Sequence, residues 1–377
     1  MSEVASPRLL ATDAPASVKT NLTRAEYCSP DIYAKEIEKI FNRQWLLVGH
    51  ISLAPEPGDY YVKQVGPESL IIARDKQGAL RAYFNVCRHR GYRLMDDHSK
   101  GCTDGFVCPY HHWTYDLDGK LRTVPGTRDG QDFRFDEYPL HEAVCDVKHG
   151  FIFVWLGKET PPSLNQALAH WNNDEQIQGF EPERLKLAHR EIYTINANWK
   201  AMLENDLECY HCSHGGHVSL AIACHFQAFY ADKQNGQHFP LREGMSTFSM
   251  DGQRVSKKSL GAAENGESAG FLLWPFFCGP VFFVDHAVSL ELTPLGVDKC
   301  QFICEWYVHE DAVEGEDYDK QKVSKVFHIT NMEDQAFGER NYQGIQSSRF
   351  VPGALHPRRE DGIIAAYEVY RQMMAAD

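Results

Sequence analysis

The chain has 377 residues, 43% of them hydrophobic and 24% charged, and a formal charge of −14. That length can bury two cores of ordinary domain size. The negative balance argues against nucleic acid or an anionic membrane surface as a partner. No apolar run approaches the roughly 20 residues of a transmembrane helix, which excludes a membrane-spanning reading. The opening residues carry no basic stretch followed by a hydrophobic core. Eleven cysteines without an export signal imply a reducing, cytoplasmic setting where thiols stay free or bind metal. The eighteen histidines invite a search for metal ligands.

Residues 1–22 read as a leader rich in Ala, Ser, Pro and Thr. A helix is expected next, with Ser29 as N-cap, Pro30 at its first position and Tyr33, Ile37, Ile40 and Phe41 on one face. From Trp45 to about Leu156 the texture changes to short strands punctuated by Gly, Pro and Asp, such as YYVKQV, SLIIARD and GFIFVWL. Residues 158–166, KETPPSLNQ, read as a linker. The remainder alternates helices, near 197–213, 316–347 and 359–374, with strand-like runs at 271–277, 280–295 and 299–308. Turns are expected at Cys278-Gly279-Pro280 and at Leu295-Gly296, and residues 231–269 read as a loop that could cover a pocket. The fold class is therefore α+β. The expected domains are a leader and helix over 1–44, an all-β domain over 45–157 and a domain over 158–377 whose large antiparallel sheet is flanked by helices.

Within the β-rich part stand two hooks, Cys87-Arg88-His89 and Cys108-Pro109-Tyr110-His111, eighteen residues apart. Each offers one thiolate and one imidazole. Four such donors can hold a tetrahedral zinc, or a two-iron, two-sulfur cluster with the cysteines on one iron and the histidines on the other. Further on, Glu204, Glu208 and His211 are spaced to share a helical face. Gly215 and Gly216 should end that helix, and His214 and His217 flank them. A non-haem Fe(II) site needs two His and one carboxylate on one side, with positions left open for O₂. The helix near the C-terminus carries Val323, Phe327, Thr330, Asp334, Phe337 and Asn341 on one stripe. A carboxylate there is costly unless it is paired or holds a metal.

The run C-x-H…C-P-Y-H-x-W-x-Y-D-x-x-G resembles the Rieske domain of ring-hydroxylating and demethylating oxygenases. The later N-W-K…E-N-x-x-E-C-Y-H run and the segment Glu333-Asp334…Glu339-Arg340 resemble the iron-binding parts of the same family's catalytic domain. The resemblance implies a [2Fe-2S] cluster on Cys87, His89, Cys108 and His111, and Fe(II) on His211, a second histidine and Asp334. In the family the second histidine follows the first by five positions, where this chain has Gly216; His217 is preferred, with His214 as competitor. Glu208 takes the place of the acidic residue that links the iron to a cluster histidine of a neighbouring subunit, His111 by precedent.

The resemblance further implies a helix-grip-like catalytic domain, a head-to-tail homotrimer and an NAD(P)H-dependent reductase as electron donor. The activity expected is O₂-dependent hydroxylation of a small molecule. The E-C-Y-H form is typical of members acting on quaternary ammonium compounds such as carnitine, glycine betaine and stachydrine, which points to N-demethylation of a betaine-like substrate. Hydroxylation or O-demethylation of an aromatic acid, cleavage of a choline-like alcohol, and an electron-carrying Rieske protein without chemistry of its own are the alternatives. For substrate contact, Asp285-His286 and the aromatic run Trp274, Phe276, Phe277, Phe282 and Phe283 are the candidates, since aromatic faces attract quaternary ammonium groups. Glu204 is left behind the ligands or on the surface, and Cys209, Cys212 and Cys224 are given no role.

Overall fold

A computed structural model describes residues 19–168, 174–208, 210–212, 216–224, 241–270 and 279–376. The chain divides into two compact units, Phe41–Leu164 and the pair of segments Met1–Ile40 and Asn165–Asp377.

The Phe41–Leu164 unit is built on a seven-stranded antiparallel sheet. Its order is Leu46–His50, Phe151–Trp155, Glu142–Lys148, Leu80–Phe84, Glu68–Arg74, Asp59–Val65, Lys100–Cys102. Phe151–Trp155 is buried along its whole length, which explains its unbroken apolar sequence. A second sheet of three short strands, Phe106–Val107, Thr114–Tyr115 and Leu121–Thr123, carries one hook in its first connection. The other hook follows Leu80–Phe84. Buried Asn85 pins that loop: its amide donates to Met95 O at 2.7 Å, and its oxygen accepts from Leu94 and Met95 N–H at 2.9 Å. Tyr83, Phe106, Trp113, Tyr115 and Leu121 form the core beneath both hooks.

The other unit holds, among its described residues, a five-stranded antiparallel sheet in the order Leu185–Ile195, Lys299–His309, Ala287–Gly296, Gly279–Phe283, Ser268–Gly270. The long helix Lys320–Ile345 starts at Asp319, whose carboxylate accepts from Gln321 and Lys322 N–H. It packs on the first strand and on helices Trp199–Asp206 and Val218–Ala223. A glycine sets the close approach of two of these helices. A Cβ at Gly338 would lie 2.1 Å from Met202 Sδ. Behind Trp199–Asp206, Lys200 pairs with Glu36 at 2.5 Å with both side chains buried, and Trp199 Nε1 and Tyr370 Oη also donate to Glu36. Removing one member of so buried a pair costs about 3–5 kcal/mol.

Several expectations change. The helix starting at Pro30 with Ser29 as its cap ends at Lys39, and a short helix Arg24–Cys28, closed by a Thr23–Glu26 capping box, precedes it. The apolar run 280–295 is two strands, because the chain turns at Val284–His286. Asp285 makes that turn: its carboxylate accepts from Val255 and Ser256 N–H at 2.6 and 2.9 Å and from Thr247 Oγ1 at 2.7 Å. Asp285 and His286 are wholly buried there and are not among the described residues that line the cavity beside His211, His217 and Asp334. Phe282 and Phe283 are core residues, packed against Phe180 and Phe248. Trp274, Phe276, Phe277 and Cys278 lie outside the described residues, as do Cys209, His214 and positions 231–240.

The helix expected over 197–213 stops at Asp206, capped by Leu207. Beyond it, the Glu208 carboxylate accepts from the backbone N–H of Tyr210 and His211, which takes those groups out of a helical ladder. Glu204, Glu208 and His211 therefore do not share a face. Glu204 points into the core, where its carboxylate accepts from Tyr27 Oη at 2.7 Å.

Candidate metal centres

The two hooks have one backbone design. In the first, Cys87 N–H donates to Tyr92 O at 2.8 Å and Gly91 N–H donates to Cys87 O at 3.0 Å. In the second, Cys108 N–H donates to Trp113 O at 2.8 Å and His112 N–H to Cys108 O at 2.9 Å. The fifth residue of each is left-handed, Gly91 with φ +74° and His112 with φ +57°. Each loop thus turns its cysteine inward and its histidine outward: Cys87 and Cys108 are buried, His89 is exposed and His111 half-buried. The rings of His89 and His111 lie 4.7 Å apart, and His89 stacks on Trp113 at 4.9 Å.

The two thiols meet inside. Cys87 Sγ is 3.3 Å from Tyr115 Oη. Burial pushes the Cys108 thiol up, against the backbone N–H groups of Tyr110 and His111 that favour its thiolate. Two sulfurs on one side and two imidazoles on the other are a donor set that fits a two-metal cluster with one pair of ligands on each metal.

In the second unit, His211, His217 and Asp334 come together from a loop and from the long helix. His211 Nε2 is 3.0 Å from His217 Nε2, and Asp334 Oδ1 is 2.9 Å from His217 Nε2 and 3.5 Å from His211 Nε2. Cis ligands about 2.1 Å from a shared ion stand about 3 Å apart, so the three atoms fit one face of a metal. Cys212 is also near, with Sγ 3.7 Å from His211 Nε2. Asp334 Oδ1 approaches the two imidazoles more closely than the Cys212 thiol approaches His211.

The remaining nitrogens are held by carboxylates. Glu208 Oε1 lies 2.5 Å from His211 Nδ1, and Glu333 Oε2 lies 2.8 Å from His217 Nδ1. Both contacts favour the tautomer with Nδ1 protonated and Nε2 free to coordinate. Asn205 Nδ2 donates to Asp334 Oδ1 at 2.6 Å and fixes that carboxylate. Burial opposes charge on His211, but the carboxylates of Asp334 and Glu208 outweigh it and push the imidazolium up to about 10. Burial also works against the charge on Asp334, yet the two histidines hold its carboxyl below the usual range.

Glu333 and Asn205 are partners that the sequence pattern leaves without a role. Both stand inside the motifs, Asn205 in E-N-x-x-E-C-Y-H and Glu333 directly before Asp334, but the motifs alone do not name their contacts. Gly216, where the family places its histidine, packs on His211 instead. Its N–H donates to His211 O at 3.2 Å, and a Cβ there would lie 2.8 Å from that oxygen. The three donors open on a cavity walled, among the described residues, by Met202, Leu290, Phe302 and Phe327.

Residues 44–139 match the Rieske [2Fe-2S] domain, and residues 182–376 match the catalytic domain of the ring-hydroxylating alpha subunit. The chain is 32% identical to the glycine betaine monooxygenase oxygenase subunit of Chromohalobacter salexigens, over 94% of this chain and 86% of that one. It is 30% identical to the carnitine monooxygenase oxygenase subunit of Acinetobacter baumannii, over 66% of this chain and 65% of that one. The fold is similar to that of the quaternary ammonium Rieske monooxygenase CntA, with a TM-score of 0.79 at 22% identity over 95% and 96% of the two chains. Naphthalene 1,2-dioxygenase from Rhodococcus sp. shares it too, with a TM-score of 0.74 at 21% identity over 95% of each. The chain belongs to the Rieske oxygenase alpha subunits, the terminal oxygenases that carry a [2Fe-2S] cluster and a mononuclear non-haem iron.

Proposed function

We propose that Cys87, His89, Cys108 and His111 hold the cluster, that His211, His217 and Asp334 hold the iron, and that the enzyme hydroxylates an N-methyl group of a small quaternary ammonium compound. What the two groups supply when bound is single electrons and activation of dioxygen. The chain's own residues supply orientation and exclusion of water. Glu208 and Glu333 keep the two imidazoles in register, Asn205 holds the Asp334 carboxylate, and the apolar wall dries the space beside them.

The observation that carries the substrate class is the charge of the cavity. Asp206, Glu208 and Asp334 line it, and no lysine or arginine does among the described residues. A permanent cation is favoured beside these carboxylates. The relatives named for glycine betaine and carnitine support the same reading. Hydroxylation at an N-methyl carbon gives a carbinolamine that collapses to formaldehyde and the demethylated amine.

Electrons come from an NAD(P)H-dependent reductase. We assign Glu208 as the link between His211 and His111 of a neighbouring protomer in a homotrimer, in the cytoplasm. A solved structure of a quaternary ammonium Rieske monooxygenase is described as giving insight into inter-subunit electron transfer, which supports that assembly. The test is turnover with a generic reductase, following formaldehyde release from betaines of differing size and from methoxybenzoates. Formaldehyde should appear with the small ammonium compounds. Release from the aryl ethers alone would overturn the reading.

A further inference from the structure

The histidine pair of the second unit serves two donor sets that differ in chemistry. Asp334 completes one with a hard carboxylate oxygen, 2.9 Å from His217 Nε2 and 3.5 Å from His211 Nε2. Cys212 completes the other with a soft sulfur. It is buried, it lines the same cavity, and it is a thiol rather than half of a disulfide. One donor atom each from His211, Cys212 and His217 lies within 4.8 Å of the other two.

The spacing of the sulfur suits a particular ion. A sulfur about 2.3 Å and a nitrogen about 2.1 Å from a tetrahedral zinc stand about 3.6 Å apart, against about 3.1 Å for ligands at a right angle. Cys212 Sγ is 3.7 Å from His211 Nε2, which is the tetrahedral spacing. The imidazole nitrogens, 3.0 Å apart, have to part by about 0.4 Å to join the same tetrahedron, a small rotation of either ring. Glu208 and Glu333 hold the two Nδ1 atoms, so each ring presents Nε2 to whichever ion is bound.

Donor softness then decides which ion each set takes. Two imidazoles with a carboxylate suit ferrous iron, whereas a thiolate selects zinc. We propose that His211, Cys212 and His217 form a zinc site that shares both imidazoles with the iron site. The two ions exclude one another. Zinc has no redox chemistry, so the oxygenase is off in the zinc form, and Cys212 sets how strongly zinc displaces iron. The inference rests on His211 and His217 as the metal-binding pair and is independent of the substrate.

The experiment is zinc binding to the full-length enzyme after a mild chelator has removed the mononuclear iron and left the cluster, as the electron paramagnetic resonance signal of the reduced cluster reports. X-ray absorption at the zinc edge sees zinc alone, so the cluster's own sulfurs do not interfere. The wild type should hold zinc with one sulfur at about 2.3 Å. Cys212→Ser should lose that sulfur and bind zinc about tenfold or more weakly, while its affinity for Fe(II) changes by less than about threefold. Cys212→Ala, judged folded by the same cluster signal, should repeat both results. Asp334→Ala, which loses iron, should still bind zinc through the sulfur. Zinc held by nitrogen and oxygen alone in the wild type overturns the role of Cys212. A sulfur that persists in Cys212→Ser places zinc on Cys224 or on the hooks and overturns it too. A wild type that binds neither iron nor zinc at this centre overturns the histidine pair along with it.

Discussion

The two metal-donor sets are built in opposite ways. The hooks lie within 25 consecutive residues, 87–111, and each closes on its own backbone hydrogen bonds. The His211, His217 and Asp334 set spans 124 positions and exists only because a long helix packs beside a loop. A local site depends on turn chemistry, whereas a distributed site depends on packing, and the two should fail differently when disturbed.

The largest expected contrast comes from Gly216→Val. The added side chain meets His211 O, a backbone atom that cannot swing away, and overpacking of this kind costs about 1–3 kcal/mol. The variant should lose mononuclear iron, while the cluster's visible spectrum stays that of the wild type. Loss of both centres together would mean that the two sites are not separable. Metal analysis and absorption spectra on one preparation decide it.

A smaller effect should appear behind the iron donors. Burial pushes Glu204 up to about 7, against hydrogen bonds from Tyr27 and Tyr367 that favour its charge. A carboxyl raised on folding binds its proton more tightly in the native state. Its contribution is therefore full below about pH 4.5, falls as the pH rises through that range and is lost above about 7. Glu204→Gln keeps the shape without the charge. It should be nearly neutral at pH 5 and should raise Tm by a few degrees at pH 8. A variant that is destabilised equally at both pH values would contradict the burial argument. Scanning calorimetry at the two pH values supplies the test.

The same contrast explains what was legible in the sequence. The hooks are read from spacing because each is a short loop, and the strands around them from alternation. Even there, the left-handed turn at His112 is hidden, since no glycine marks it; only its equivalence to Gly91 reveals it. Asp334 is signalled by a carboxylate on an apolar stripe, and the long helix around it runs close to its expected limits, Lys320–Ile345. The shared face of Glu204, Glu208 and His211 is misread because periodicity carries the helix past Asp206, and nothing in the residues announces that Glu208 will capture the next backbone amides. Asp285 sits in a run of strand-forming residues whose turn is fixed by partners some thirty to forty positions away. Glu333 stands in the quoted motif, yet its role is not legible there, because its contact to His217 depends on where the loop lies in space.

The central claim is that this chain holds two separate iron centres, of which the rear one depends on Asp334. Iron analysis of the wild type and of Asp334→Ala, with electron paramagnetic resonance of the reduced cluster, tests it most directly. The account predicts about three irons per wild-type chain, about two in the variant, and an unchanged cluster signal in both. A variant that keeps its full iron complement, or that loses the cluster signal as well, would contradict it.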